Sequence, residues 1–190
     1  MQQKTEITTV GHSNHSMDTF IDLLHQHEID LVIDVRSQPY SRWADQFNRE
    51  PLREALEAAG VAYRYKGDTL GGRPKDPTFY DPGERRPNYK MMQTAPAYQQ
   101  ALDELTVLAQ DQRIAVMCSE GDHRQCHRHL LITQSLLQRG VRVRHIQLSS
   151  LAAVSRARAL LKQEDFELVA RKFSENEYTA AQGGLLPAFT

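Results

Sequence analysis

Short apolar runs alternate with stretches of helical spacing along most of this chain. The β-branched run over 7–10 ends at Gly11 and predicts a strand. Ser16 then stands as a helix N-cap before 17–27, where Phe20, Leu23, Leu24 and His27 share one face. The run over 31–35 is continuously apolar except for Asp34, which suits a parallel strand covered on both faces. A second helix is expected over 51–59, with Pro51 in its first turn and Gly60 as its stop, and a third strand over 61–65. After a break, the rhythm resumes as a helix over 97–110, a strand over 113–117, a helix over 127–139 ended by Gly140, and a strand over 141–146.

This alternation predicts an α/β fold: an open, mostly parallel, Rossmann-like sheet of about five strands with helices on both faces. The break over 67–96 carries Gly71, Gly72, Gly83, Pro74, Pro77, Pro82 and Pro87, with Phe79, Tyr80 and Tyr89 between them. It predicts a long Gly/Pro-rich loop or flap, a kind of segment that is usually functional in a compact domain. The expected organisation is an α/β domain over 1–150, then a C-terminal helix over 152–171 and a poorly ordered tail within 151–190. That helix offers a docking face to its own domain or to a second copy alike.

A parallel sheet brings the C-terminal ends of its strands to one edge, where such folds bind ligands. There strand 1 delivers His12 and Ser13; strand 2 delivers Asp34 and Arg36; the flap delivers Arg73. Strand 4 delivers Cys118 and Glu120, and the helix after it opens with Cys126, His127 and Arg128. The eleven residues from Cys118 to Arg128 hold the only 2 cysteines of the chain. Each residue also has a structural reading. Asp34 and Arg36 point the same way and can form an ion pair, His12 can cap a turn, and Cys118 and Cys126 can be small core residues. Cations at His127 and Arg128 oppose the dipole of the helix they begin, a placement that an anionic partner would repair.

The bulk numbers narrow the classes. With 190 residues, 40% hydrophobic and 25% charged, the chain can build one real core. A formal net charge of -1 gives no global attraction to nucleic acid or membrane, and between residues 36 and 90 the excess of Lys/Arg over Asp/Glu is only 11 to 8. No apolar run reaches membrane-spanning length and residues 1–6 lack a signal-peptide core, so a cytoplasmic protein with reduced thiols is expected.

The segments Thr9-Val10-Gly11-His12-Ser13, Asp34-Val35-Arg36, Pro39 with Ser41, Phe47, Leu70-Gly71-Gly72-Arg73-Pro74 and Met117-Cys118-Ser119-Glu120, followed by Cys126-His127-Arg128, resemble the uncharacterised bacterial family DUF488. The likeness runs from about residue 6 to about residue 148. It implies an α/β fold and makes His12, Asp34, Arg36, Cys118, Glu120, Cys126, His127 and Arg128 motif positions, without implying a reaction or a cofactor.

Four kinds of chemistry fit these residues. The leading one is an enzyme acting on a phosphate-bearing substrate, a nucleotide or nucleic acid. Arg36, Arg73 and Arg128 would clamp the anion beside Ser13 and His127, Asp34 or Glu120 would act as base, and His12 would shuttle a proton. Tyr63, Tyr65, Phe79 or Tyr80 would stack on a base. The second is a cysteine nucleophile at Cys118, whose spacing to Arg124 resembles the loops of tyrosine phosphatases and rhodaneses, although Glu120 and Asp122 put negative charge inside it. The third is a metal site built from Cys118, Cys126, His127 and His12. The fourth is a non-catalytic nucleotide-binding module.

Overall fold

The computed structural model describes residues 5–146. Five strands form a single sheet: β1 (Glu6–Gly11), β2 (Leu31–Asp34), β3 (Ala62–Tyr65), β4 (Ile114–Cys118) and β5 (Arg142–Ile146), in the order β3-β2-β4-β1-β5. Every pairing is parallel, with Gly11 level with Cys118 and Asp34 level with Met117. The expected α/β class and strand count are therefore met. Cys118 closes the central strand.

Period-two alternation sends successive strand side chains to opposite faces. Ile7, Leu31, Ile33, Ile114, Val116 and Cys118 join a cluster with Tyr98, Leu102 and Leu105 of helix α5 (Pro96–Asp111) and with Leu131, Ile132 and Leu136 beyond β4. Val10, Val32, Asp34, Ala115 and Met117 face the other way. On that side lie the buried Phe20 and Leu24 of α1 (Met17–Gln26), Phe47, and the buried Leu52 and Leu56 of α2 (Arg49–Ala58). Burying each such leucine or phenylalanine stabilises the fold by about 1.5–3 kcal/mol. Ser16 caps α1 as expected, accepting from the Thr19 N–H at 3.2 Å. Helix α2 starts two residues earlier than its proline suggested, behind Asn48.

The stretch over 67–96 is more ordered than a flap. It contains α3 (Gly67–Leu70), a 3-10 turn (Pro77–Phe79) and α4 (Tyr89–Thr94), with Tyr80 bridged to Pro87. Pro77 begins the 3-10 turn behind the Asp76 cap, and Asn88 caps α4, so the prolines do not leave the stretch without structure. After β4 comes a 3-10 turn (His123–Gln125), a segment wound in the wider π form (Arg128–Thr133), and only then α6 (Gln134–Gln138). The π winding, seen in the Gln134 N–H donating back to the His129 carbonyl, is a form concentrated at functional sites. The helix and tail expected after residue 150 lie outside the described residues. Among the described residues no helix is long and apolar enough to cross a membrane.

Candidate active site at the C-terminal strand edge

The chain leaves β1 toward α1 on one face of the sheet and leaves the adjacent β4 toward α6 on the other. Such a divergence opens a crevice beyond the strand ends. The two outgoing loops run side by side: the His12 N–H donates to the Cys118 carbonyl at 3.1 Å and the Ser13 N–H to the Ser119 carbonyl at 2.9 Å. Only glycine permits that approach at position 11, where a Cβ would lie 1.8 Å from the Glu120 carbonyl oxygen. His12, Asp34, Arg36, Cys118, Glu120, Cys126, His127 and Arg128 all reach this rim, but they separate into distinct groups.

The first group belongs to the α1/α2 face. Asp34, 0% exposed, binds Arg36 through Nε at 2.9 Å and Nη2 at 2.7 Å, and accepts the Arg36 backbone N–H at 3.0 Å. The Tyr63 hydroxyl donates to its second oxygen at 2.8 Å. The remaining Arg36 Nη1 lies 3.2 Å from His12 Nε2, and His12 Nδ1 lies 2.9 Å from the Ser13 carbonyl. The ring therefore donates through Nδ1 and accepts through Nε2. Burial, then the Arg36 charge, push the His12 imidazole down to about 4. Phe47 stacks on its face at 4.2 Å. Burial, then the Asp34 charge, push the Tyr63 phenol up. Both polar edges of the His12 ring and the Arg36 fork are thus engaged within the fold.

The second group belongs to the α5/α6 face. Cys118 and Cys126, 4% and 3% exposed, are both free thiols. Each sulfur lies 3.8 Å from His127 Nδ1. His127 Nε2 lies 3.1 Å from the Val35 carbonyl, which fixes that nitrogen as a donor and turns Nδ1 toward the sulfurs. The Cys126 S–H donating to it, helped by His127, holds the Cys118 thiol well below its ordinary value against the opposing effect of burial. Cys126, the donor, is pushed up by the same hydrogen bond and by burial. The flap packs against this group. A Cβ at Gly72 would lie 2.5 Å from His127 Cγ, and the Arg73 N–H donates to Ser37 Oγ at 2.8 Å. Burial raises the Tyr89 phenol, on the first turn of α4. Three soft or borderline donors, Cys118, Cys126 and His127, have ligand atoms within 4.8 Å of one another and could hold a metal ion. His12 is not among them.

Arg128 is 0% exposed and holds the loop after β4: Nη1 donates to the Glu120 carbonyl and Nη2 to the Gly121 carbonyl at 3.1 Å. Its Nε has no partner among the described residues. Arg36 and Arg128 are therefore bound within the fold, and Arg73 is the expected cation that stays exposed. Glu120 is exposed too, its carboxylate accepting from Ser119 Oγ at 3.1 Å. Arg124 does not curl into a phosphate cradle: it pairs with Asp122 at 3.0 Å on the surface. A cavity of about 720 Å³ lies at the opposite edge of the sheet, lined by Glu6, Asp30, Arg113 and Arg142 among others, away from all this chemistry.

Two features escaped the sequence. Tyr63, expected only as a ring to stack on a base, donates its hydroxyl to Asp34 from the neighbouring strand, level with Val32, a link that strand register alone could have shown. His123, His129 and His145 also converge, from the 3-10 turn, the π segment and β5. Burial, then His123 and His129, push His145 down to about 4, and burial lowers His123. Their positions in three separate elements left no local spacing to read.

This rim sits in a family known by its sequence and not by an activity. The family described as "Domain of unknown function DUF488" matches residues 16–135, and the chain belongs to it. No curated protein and no solved structure matches the chain.

Proposed function

We propose that this DUF488 protein is an enzyme in which Cys118, as a thiolate, attacks a phosphate-bearing substrate such as a phosphate monoester or nucleotide. The observation that carries this reading is the meeting of Cys118 Sγ, Cys126 and His127 Nδ1 at the end of the central strand. A hydrogen-bonded thiolate is the reactive form of cysteine. Of the expected phosphate clamp, Arg73 remains exposed, next to the Gly72 that packs on His127. Arg36 and Arg128 serve as positioning residues: one braces His12, the other braces the loop that carries Glu120.

In the proposed step, Sγ forms a bond to phosphorus. The bond to the leaving oxygen breaks, and that oxygen takes its electron pair and a proton from Glu120. Water then attacks phosphorus and gives its proton back to Glu120, and Sγ leaves as thiolate. Glu120, exposed two residues after the nucleophile, is open to a substrate, which supports this role. The test is turnover of a panel of phosphate monoesters and nucleotides, with rapid acid quenching and mass spectrometry of the Cys118 peptide. The expected result is a phosphoryl adduct on Cys118 and loss of turnover in Cys118→Ser. Turnover that survives Cys118→Ser overturns the reading.

A further inference from the structure

We infer that His123, His129 and His145 form a binding site for one divalent metal ion of borderline softness, with zinc as the best match. The proposal is independent of the Cys118 chemistry, because the two sites share no ligand.

The geometry carries it. Zinc holds imidazole nitrogens at about 2.0–2.1 Å, which places two tetrahedral ligands about 3.3 Å apart. His129 Nδ1 and His145 Nε2 already stand at 3.3 Å. In the metal-free protein one of these nitrogens must donate to the other. The shared proton need only move to His129 Nε2 for both lone pairs to face an ion. His123 supplies the third nitrogen, and the three ligand atoms lie within 4.8 Å of one another. Its ring now lies flat on that of His145, with centroids 3.9 Å apart and planes at 16°, so a rotation of the His123 side chain completes the site. His123 Nδ1 is buried without a hydrogen-bond partner among the described residues, so that rotation breaks no bond at this atom.

The shell behind the ligands fits as well. A metal-binding histidine usually donates its other ring nitrogen to a fixed partner, which sets the tautomer. His145 Nδ1 has such a partner in the Thr9 hydroxyl, at 2.6 Å. Thr9 is itself buried and level with His145 in the β1–β5 ladder, so the strand register holds the pair. All three histidines are half-buried, which leaves an ion a path from solvent. Three protein ligands leave a fourth position open, the pattern of reactive rather than closed zinc sites.

The test uses the full chain, stripped of metal with a chelator and titrated with Co²⁺ and Zn²⁺ by calorimetry and absorption spectroscopy. One ion is expected per chain, with cobalt d–d bands and no thiolate charge-transfer band. His145→Ala and His123→Ala should each weaken binding at least about 100-fold, and Thr9→Val about 10-fold or more. His123 lies on the turn at the end of β4, outside the apolar core, so its replacement keeps the test valid should His145→Ala unfold the protein. The double variant Cys118→Ser/Cys126→Ser should bind as the native chain does. A charge-transfer band that disappears in the cysteine variant would place the ion at the thiols and overturn the proposal. Native-like binding by His123→Ala, or no stoichiometric binding at all, overturns it equally.

Discussion

The Asp34 side and the Cys118 side of the same strand edge are opposites in how their polar atoms are satisfied. Around Asp34, the carboxylate, guanidinium, imidazole and phenol form a closed chain of hydrogen bonds, and His12 rests against Phe47. Around Cys118, two sulfurs share one imidazole nitrogen at 3.8 Å each, and the Cys118 thiol is held well below its ordinary value. Position at the strand ends gathers both groups, but it is saturation that separates a group able to hold the fold from one able to react. A buried charge with every hydrogen bond made has little left to offer a substrate.

The largest effect that would break this contrast lies on the Asp34 side. Asp34→Ala leaves Arg36 buried and unpaired, and the expected loss is about 3–5 kcal/mol in urea unfolding. Replacing both partners with apolar residues, Asp34→Leu with Arg36→Met, should restore much of that loss. If the single variant lost under about 1 kcal/mol, this side would not be the brace described here.

Next comes pH. A histidine held at about 4 in the fold against 6.5 when unfolded takes up its proton in the unfolded state first. Its contribution is therefore full above 6.5 and is lost as pH falls from 6.5 to about 4, by about 3 kcal/mol for His12. Urea titrations at pH 7 and pH 4.5 should show this slope, and His12→Phe should remove the His12 part of it while the part due to His145 remains. Arg128→Met removes two donors to the Glu120 and Gly121 carbonyls. An expected loss of about 2 kcal/mol should come with faster amide exchange over 119–125. The smallest stability effect belongs to the thiol side. Cys126→Ala should change stability by about 1 kcal/mol while raising the pH at which Cys118 becomes reactive, because it removes the S–H that stabilises the thiolate.

Much of this architecture was legible because strand and helix patterns are local. The runs over 7–10 and 31–35, the Ser16 cap and Gly140 as a stop each depend on neighbours a few residues away. The parallel sense of the strands followed from alternation, though not their order across the sheet, and with it the gathering of His12, Asp34, Arg36 and Cys118 at one edge. What the sequence did not contain was the division of labour within that gathering. Arg36 and Arg128 look alike as free phosphate ligands until their partners across the sheet and along the next loop are known. The short helices within 67–96 were hidden by prolines that begin turns as readily as they break helices. His145 stands in an edge strand whose alternation reads as ordinary, and only its register with Thr9 and its distance from His129 give it meaning.

Alkylation of Cys118 across a pH series tests the central contrast most directly. Iodoacetamide labelling of the native chain, read by mass spectrometry of the Cys118 peptide, should have its midpoint well below the ordinary thiol value of about 8.5. Cys126 should remain unlabelled over the same range. A midpoint for Cys118 at or above the ordinary value, or faster labelling of Cys126, would contradict the assignment of this edge as a thiolate site.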